Sequence, residues 1–400
     1  MQEIEQQATE IDFKWPLGYS AGATKSGIKQ NKLDLGWLVS EVPASAAGVY
    51  TTNQFQAAPT KLTKATISAD QQLQAVILNS GNANSCTGKL GKQNALKEQN
   101  MIADKLNIAP DLVGVASTGI IGKQLPMAKI EQGIDALQLS DSIAVTEAVL
   151  TTDTHPKTIA VQLDLSGKQV TISGFCKGSG MIHPNMATML GFVTTDASVD
   201  GDYLQQLLID ETNNTFNQIT VDGDTSTNDM VVLMANGMAG NVEIDDSSSE
   251  KEKFALAIHQ VLAYLAKQIA EDGEGASKLV EVNVKSAATE LEAKQVAKEI
   301  VGSSLVKAML FGEDANWGRI MDAIGKTDAS LDVDHVNVWL NGIQLVKNSE
   351  PATFDLQPAR DSLSEHEVVI DVDLHAGNSV GTAWGCDLTY KYVQINAAYE

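Results

Sequence analysis

The chain has 400 residues, 43% hydrophobic and 20% charged, which is the composition of an ordinary globular protein with room for a sizeable core in one large domain or two. Its 28 basic and 51 acidic residues leave a net charge of −23, and so acidic a surface repels phosphate backbones and anionic lipid. Nucleic-acid and membrane-surface partners are therefore set aside.

The N-terminus, MQEIEQQATEIDFKW, lacks the basic and apolar regions of a signal peptide, and no apolar run reaches the roughly 18 residues of a membrane span. Cys86, Cys176 and Cys386 are odd in number and far apart, and the six histidines form no HxxxH pair. That usage fits a reducing cytoplasm and gives no metal-ligand spacing. The expectation is a cytoplasmic protein without a metal or a bound cofactor.

Residues 33–80 alternate short apolar runs with polar turns and read as strands and loops. Residues 91–106 read as a helix, LVGVASTGIIG as a buried strand entering a glycine turn, and 142–151 as a short helix. TIAVQLDL and KQVTISGF form a hairpin through Ser166-Gly167. Asp200 is placed to cap a helix over 201–217, with Leu204, Leu207, Leu208 and Phe216 on one stripe. After the solvated DDSSSE loop, whose serines can cap the next element, a helix over about 251–270 carries Phe254, Ile258, Val261, Leu262, Leu265 and Ile269 at three-to-four spacing. A strand near 279–285, a helix near 288–301 and a β-rich last 70 residues complete the chain, with a hairpin turn at Asn341-Gly342 and an alternating strand at EVVIDVDL. There is no internal repeat. The pattern is α+β, with sheets covered by helices. The stretch KGSGMIHPNMATMLGFVTTDA (177–197) falls near the middle, where it can join two halves sharing one core.

Two nucleotide motifs fail. In KGSGMIHP the third glycine position of G-x-G-x-x-G is His183, and GVASTGIIGK is not a P-loop. DGDTSTND (222–229) resembles part of a calcium loop but lacks the closing glutamate, so it reads as a polar turn.

Ala187-Thr188 raises a chemical question. Threonine is a poor nucleophile without a base beside it. Making it the first residue of a chain supplies one, because a free α-amine of pKa about 8 can take the hydroxyl proton. That needs a cut before Thr188, which the threonine can make itself by attacking the preceding carbonyl and forming an ester that water releases. A small Ala187 leaves that carbonyl open, and the Pro184-Asn185 loop is suited to hold it under strain. A buried threonine opening a strand is the commoner fate of this residue type. The residues alone leave both readings open.

KGSGMIHPNMATMLGFVTTDA resembles the self-cleavage segment of the ornithine acetyltransferase family, also called glutamate N-acetyltransferase. The similarity runs the whole chain. AAGVYTTNQFQAAP (46–59), NSGNANSCTG (79–88), ASTGIIG (116–122), TTDTHPK (151–157), GEGASK (273–278), FGEDANWGRI (311–320) and YVQINAAYE (392–400) look like family blocks in family order. The resemblance implies an α-β-β-α sandwich in the style of N-terminal-nucleophile hydrolases. It implies a cut between Ala187 and Thr188 into an α chain (1–187) and a β chain (188–400), assembled as α2β2. Thr188 then accepts acetyl from N-acetylornithine and passes it to glutamate by ping-pong kinetics. Thr118 and Gly119 match the oxyanion-hole pair, and Thr154, Lys177, Glu274 and Asn396 match substrate-binding positions. A lysine for a carboxylate, a glutamate for an amine and an amide for orientation suit amino-acid substrates. Taken singly, Lys177 and Glu274 would read as surface charges. Whether acetyl-CoA also serves as donor is not legible.

Three departures stand out. His183 and Gly191 occupy positions where the family commonly has alanine, and the family's further Ser/Thr contact would fall just past Glu400. Alternatives of other kinds are an amidase or aminopeptidase that hands the acyl group to water, and a non-catalytic amino-acid-binding protein. Loss of Thr188 or of the oxyanion pair would mark the last, and both are present.

Overall fold

A computed structural model of the protein describes residues 8–183 and 189–398. In chain order its first elements are β1 (Thr9–Ile11), β2 (Tyr19–Thr24), β3 (Leu35–Tyr50), α1 (Ala58–Asp70), β4 (Gln72–Asn82), α2 (Gly88–Leu106), β5 (Val113–Ile120), α3 (Met127–Ala136), α4 (Ala144–Ala148), β6 (Lys157–Leu165) and β7 (Lys168–Lys177). Then come β8 (Leu190–Thr195), α5 (Gly201–Asn214), β9 (Ile219–Thr220), β10 (Met230–Ala235) and α6 (Lys251–Glu271). The rest holds β11 (Leu279–Ala287), α7 (Glu290–Gly302), α8 (Ser304–Phe311), α9 (Trp317–Gly325), β12 (Asn337–Leu340), β13 (Ile343–Lys347), β14 (Glu350–Pro351), α10 (Leu356–Asp361), β15 (Glu367–Asp373), β16 (Ser379–Cys386) and α11 (Tyr390–Asn396).

The chain folds into two compact units. The first takes Met1–Gly178, Pro184–Asn217 and Thr225–Leu265; the second takes Ser179–His183, Gln218–Asp224 and Ala266–Glu400. Each has a mixed sheet and its own core. Among the described residues the first sheet runs β1-β6-β7-β8-β10-β3-β4-β5, with β2 also paired to β3. Its faces alternate as strand geometry requires. Leu35, Trp37, Ala75 and Ile77 pack with Ile102 of α2 and Ile130 of α3, while Leu38, Val76, Phe175 and Phe192 face the other way with Val145 and Ala148 of α4. The second sheet runs β14-β13-β12-β15-β11-β16-β9. Val280, Val282, Ile370 and Ala383 of that sheet pack against Val296, Ala297 and Ile300 of α7.

The α+β class is as expected, and several devices are where the sequence put them. Ser166 and Gly167 take φ of 52° and 84° at the β6–β7 turn, and Asn341 and Gly342 take 47° and 78° between β12 and β13. Asp200 caps α5, accepting from the Tyr203 N–H. One reading is corrected. The segment 33–80 is not only strand and loop, because α1 lies inside it. Pro59 sits in its first turn, where a missing N–H costs nothing. Its buried face is Thr60, Thr63, Thr66 and Ile67, so it has no apolar period to detect. Hydrogen bonding replaces hydrophobicity there: Thr63 Oγ1 donates to the Val115 carbonyl and accepts from the Val115 N–H, both at 2.7 Å.

Candidate active site

In the first unit, β5 runs parallel to β4 with Ser80 opposite Thr118 and Gly81 opposite Gly119, and the register breaks at Asn82. Gly119 has a φ of +128°. A Cβ there would lie 2.4 Å from the Gly81 carbonyl carbon and 2.6 Å from the Asn82 nitrogen, so only glycine fits. Thr118, just before it, is buried. Its Oγ1 lies 3.4 Å from Lys177 Nζ, a long but donor-correct contact. Lys177 ends β7, is only 8% exposed, and has Thr118 as its one hydrogen-bond partner among the described residues. A buried ammonium with spare N–H donors is a place for an anion.

Asp153 explains why that cation is spare for a ligand while its neighbour is not. The Asp153 carboxylate accepts from Lys157 Nζ at 2.9 Å, from the Gly178 N–H at 2.6 Å and from the Thr151 N–H at 3.0 Å. Burial alone would raise its pKa, but Lys177, Lys157 and the Thr151 N–H hold it well below the ordinary carboxylate range. Asp153 thus faces Lys157 directly and reaches Lys177 only through space. Thr154, next along, is exposed and its Oγ1 is 2.9 Å from His155 Nδ1. Lys29 adds positive charge. Its stem packs on Gly81, its Nζ donates to the Leu150 carbonyl at 3.0 Å, and burial, with Lys32 and Lys177 nearby, lowers its pKa against Asp34 and Asp153.

β8 begins at Leu190, paired to Lys177 on one side and to Met230 of β10 on the other. Leu190 is two residues past Thr188. Ala187 and Thr188, the expected cleavage site and nucleophile, lie outside the described residues. At the head of β10, Asp229 is buried and its Oδ2 has no hydrogen-bond partner among the described residues. Burial pushes its carboxyl well above the ordinary range, offset only in part by Ser226 and Lys177, which favours the protonated acid.

In the second unit, Glu274 is buried and its Oε2 accepts from Asn396 Nδ2 at 2.7 Å. Asn396, at the end of α11, also donates to the Tyr392 carbonyl at 3.1 Å. Gly180 makes room for the carboxylate, since a Cβ there would lie 2.3 Å from Glu274 Cδ. The Ser179–His183 segment is held by Asp222, which accepts from the Met181 and Ile182 N–H groups at 2.6 and 2.9 Å. His183, where the family commonly has alanine, sits with Nδ1 3.0 Å from Thr220 Oγ1, and burial together with Lys298 holds its pKa down to about 4.

Of the residues singled out from sequence, the fold brings Thr118, Gly119 and Lys177 together in the first unit and pairs Glu274 with Asn396 in the second. Thr154 follows Asp153 in the chain, and its described hydrogen bond is to His155. Sequence reasoning missed Asp153, Asn228 and Asp229. A usable signal existed for the last two: DGDTSTND runs straight into the apolar strand MVVLMA, so its final polar residues had to be buried at a strand entrance.

A spare buried ammonium, a hydroxyl and a glycine-only turn at one sheet end make an α+β protein with a site for a small anionic molecule. Comparison narrows this. The family model described as the ArgJ family matches residues 20–400, and the chain belongs to that family. It is 59% identical to the arginine biosynthesis bifunctional protein ArgJ of Lactiplantibacillus plantarum over 390 residues, covering 98% of this chain and 97% of that protein. It is 52% identical to the protein of the same name from Oceanobacillus iheyensis over 387 residues, covering 96% and 95%. The crystal structure of arginine biosynthesis bifunctional protein argJ from Bacillus halodurans aligns with a TM-score of 0.51 at 52% identity, covering 52% of this chain and 98% of that chain.

Proposed function

We propose that the protein is a glutamate N-acetyltransferase that moves acetyl from N-acetylornithine to glutamate through an acetyl ester on Thr188, after cutting its own chain between Ala187 and Thr188. The observation that carries this is the Lys177–Thr118 contact of 3.4 Å beside the Gly119 turn, at the sheet end where β8 begins two residues past Thr188. The names of the curated relatives support the pathway, and length supports the cut. The Bacillus halodurans chain is matched over 98% of its length by only 52% of this one, as expected of a cleaved half.

The steps balance. In self-cleavage Thr188 Oγ attacks the Ala187 carbonyl carbon, the C–N bond breaks and the freed amine takes a proton. Water then hydrolyses the ester, leaving an Ala187 carboxylate and a free Thr188 amine. In catalysis that amine takes the hydroxyl proton while Oγ attacks the acetyl carbonyl. The oxyanion is held by the Thr118 hydroxyl and the Gly119 N–H. The amide C–N bond breaks, the leaving nitrogen is protonated, and ornithine departs. The glutamate amine then attacks the ester, and Thr188 recovers its proton. Lys177 takes a substrate carboxylate, Glu274 a substrate ammonium, Asn396 orients Glu274, and Thr154 lends a hydroxyl. The assembly is α2β2.

Intact mass and transfer assays test this together. Active protein is expected as two fragments meeting at Ala187 and Thr188, with ornithine and N-acetylglutamate formed in equal amounts. A single uncut chain in active material overturns the nucleophile assignment. Acetate in place of N-acetylglutamate makes the protein an amidase instead. The same assay with acetyl-CoA as donor decides whether a second donor is used.

A further inference from the structure

Two backbone carbonyls, Ser117 C=O on β5 at the end of its sheet and Ala83 C=O just past β4, lie near the point where these strands lose register at Asn82. Buried, each would be costly unless something else served it. One side chain serves two. Asn228, 4% exposed, donates through Nδ2 to the Ser117 carbonyl at 2.7 Å and to the Ala83 carbonyl at 2.6 Å. It is itself fixed on three sides. Thr227 Oγ1 donates to its Oδ1 at 2.8 Å, Thr60 Oγ1 donates to its carbonyl at 3.1 Å, and Ser226 Oγ accepts from its N–H at 3.3 Å.

The two clipped carbonyls bracket the glycine turn. Ser117 C=O belongs to the peptide plane that ends in Thr118 N and Cα, so fixing that oxygen fixes the plane and the start of the Thr118 side chain. Ala83 donates from its own N–H to the Ile120 carbonyl at 3.1 Å, which holds the far side of Gly119. The next residue but one, Met230, donates to the Met189 carbonyl at 2.9 Å. One short segment therefore sets the Thr118–Gly119 turn against the strand that begins just after Thr188.

We propose that Asn228 is a positioning residue for the oxyanion hole, setting the Thr118 hydroxyl and the Gly119 N–H where charge develops in the transition state. This rests on the oxyanion reading of Thr118 and Gly119 given above. Asn228 Nδ2 is engaged by the two backbone carbonyls and its Oδ1 by Thr227. It acts through Thr118, so its loss should slow turnover without weakening binding.

The test is a double-mutant cycle in the full-length protein, with rates referred to the cleaved fraction of each preparation. Thr118→Ala is expected to lower kcat by roughly 10²–10³, the range for one oxyanion donor. Asn228→Ala is expected to lower kcat by about tenfold or more with KM for N-acetylornithine within about twofold, and the double variant to be no slower than Thr118→Ala, since residues acting as a unit are not additive. Additive losses, or a rise in KM matching the fall in kcat, overturn the proposal. So does a wild-type kcat in Asn228→Ala beside a slow Thr118→Ala, which leaves the oxyanion reading standing. A wild-type kcat in Thr118→Ala removes the oxyanion reading and this proposal with it. If Asn228→Ala does not fold, Thr227→Val, which removes only the O–H holding Asn228 Oδ1, takes its place in the cycle. It is expected to lose several-fold in kcat alone, and a wild-type kcat overturns the proposal.

Discussion

Glu98 on α2 is 1% exposed, and its Oε2 has no hydrogen-bond partner among the described residues. Burial raises its pKa from 4.5 to about 8. Below pH 4.5 the acid is neutral folded and unfolded, and it costs nothing beyond its burial. Above that the unfolded chain ionises while the folded one does not, so stability falls by about 1.4 kcal/mol per pH unit until the folded group also ionises. At pH 7 the accumulated cost is about 3 kcal/mol as a ceiling, since unfolded chains keep some structure. Glu98→Gln has nearly the same shape and never ionises, so it should recover much of that cost. The assay is denaturant unfolding of wild type and variant at pH 5 and pH 7.5. The variant should gain little at pH 5 and a few kcal/mol at pH 7.5. An equal gain at both values would mean that Glu98 is ionised inside the fold, and the argument would fail.

Other perturbations have equally definite outcomes. Asp153→Asn strips the negative member of a fully buried pair with Lys157, and should cost about 3–5 kcal/mol at pH 7. Because its folded pKa is depressed, the wild-type contribution is present above the usual carboxylate range and is lost as pH falls below it, so the variant should match wild type more closely in acid unfolding. Gly180→Ala puts a Cβ within 2.4 Å of both Glu274 carboxylate oxygens and should drive that side chain off Asn396. KM for N-acetylornithine should rise by about tenfold, the value of one charge-assisted hydrogen bond, and an unchanged KM would remove Glu274 from substrate binding. Finally, the cleaved fragments should co-elute in native gel filtration and separate only in denaturant, because β8 and β10 of the second fragment lie between β7 and β3 of the first. Separation without denaturant would contradict that strand order.

The legible parts of the sequence are those with a physical period. Strands β6 and β7, their turn, α6 and β15 all carry a period and a turn residue, and all lie where the pattern puts them. Helix α1 is hidden, because its buried face is threonine and its partner is a backbone, Val115, rather than an apolar surface. The site divides the same way. Thr118, Gly119, Lys177, Glu274 and Asn396 are reached through family blocks, yet nothing in one dimension says that Lys177 lies against Thr118, 59 residues away. Asp153 and Asn228 are invisible for a related reason. A polar residue that serves buried carbonyls or a buried ammonium looks, in sequence, like any polar residue of a turn.

The strand order also constrains when a cut before Thr188 can occur. β8 is antiparallel to β7 and parallel to β10, and β10 is antiparallel to β3. All four lie in the middle of one sheet, and β8 and β10 are buried along their whole length. The groups proposed to hold the oxyanion and a substrate carboxylate come from β5 and β7, segments far apart in sequence. They meet only once the sheet has formed. A cut that uses them would follow folding, and the cross-strand pairing of β8, which begins at Leu190, would stand after it. A neutral Asp229 is consistent with that order. Lys177 is among the charges that offset the burial of Asp229, and an ionised Asp229 would compete with a ligand carboxylate for that ammonium. Burial, which disfavours the ionised form of Asp229, works against that competition.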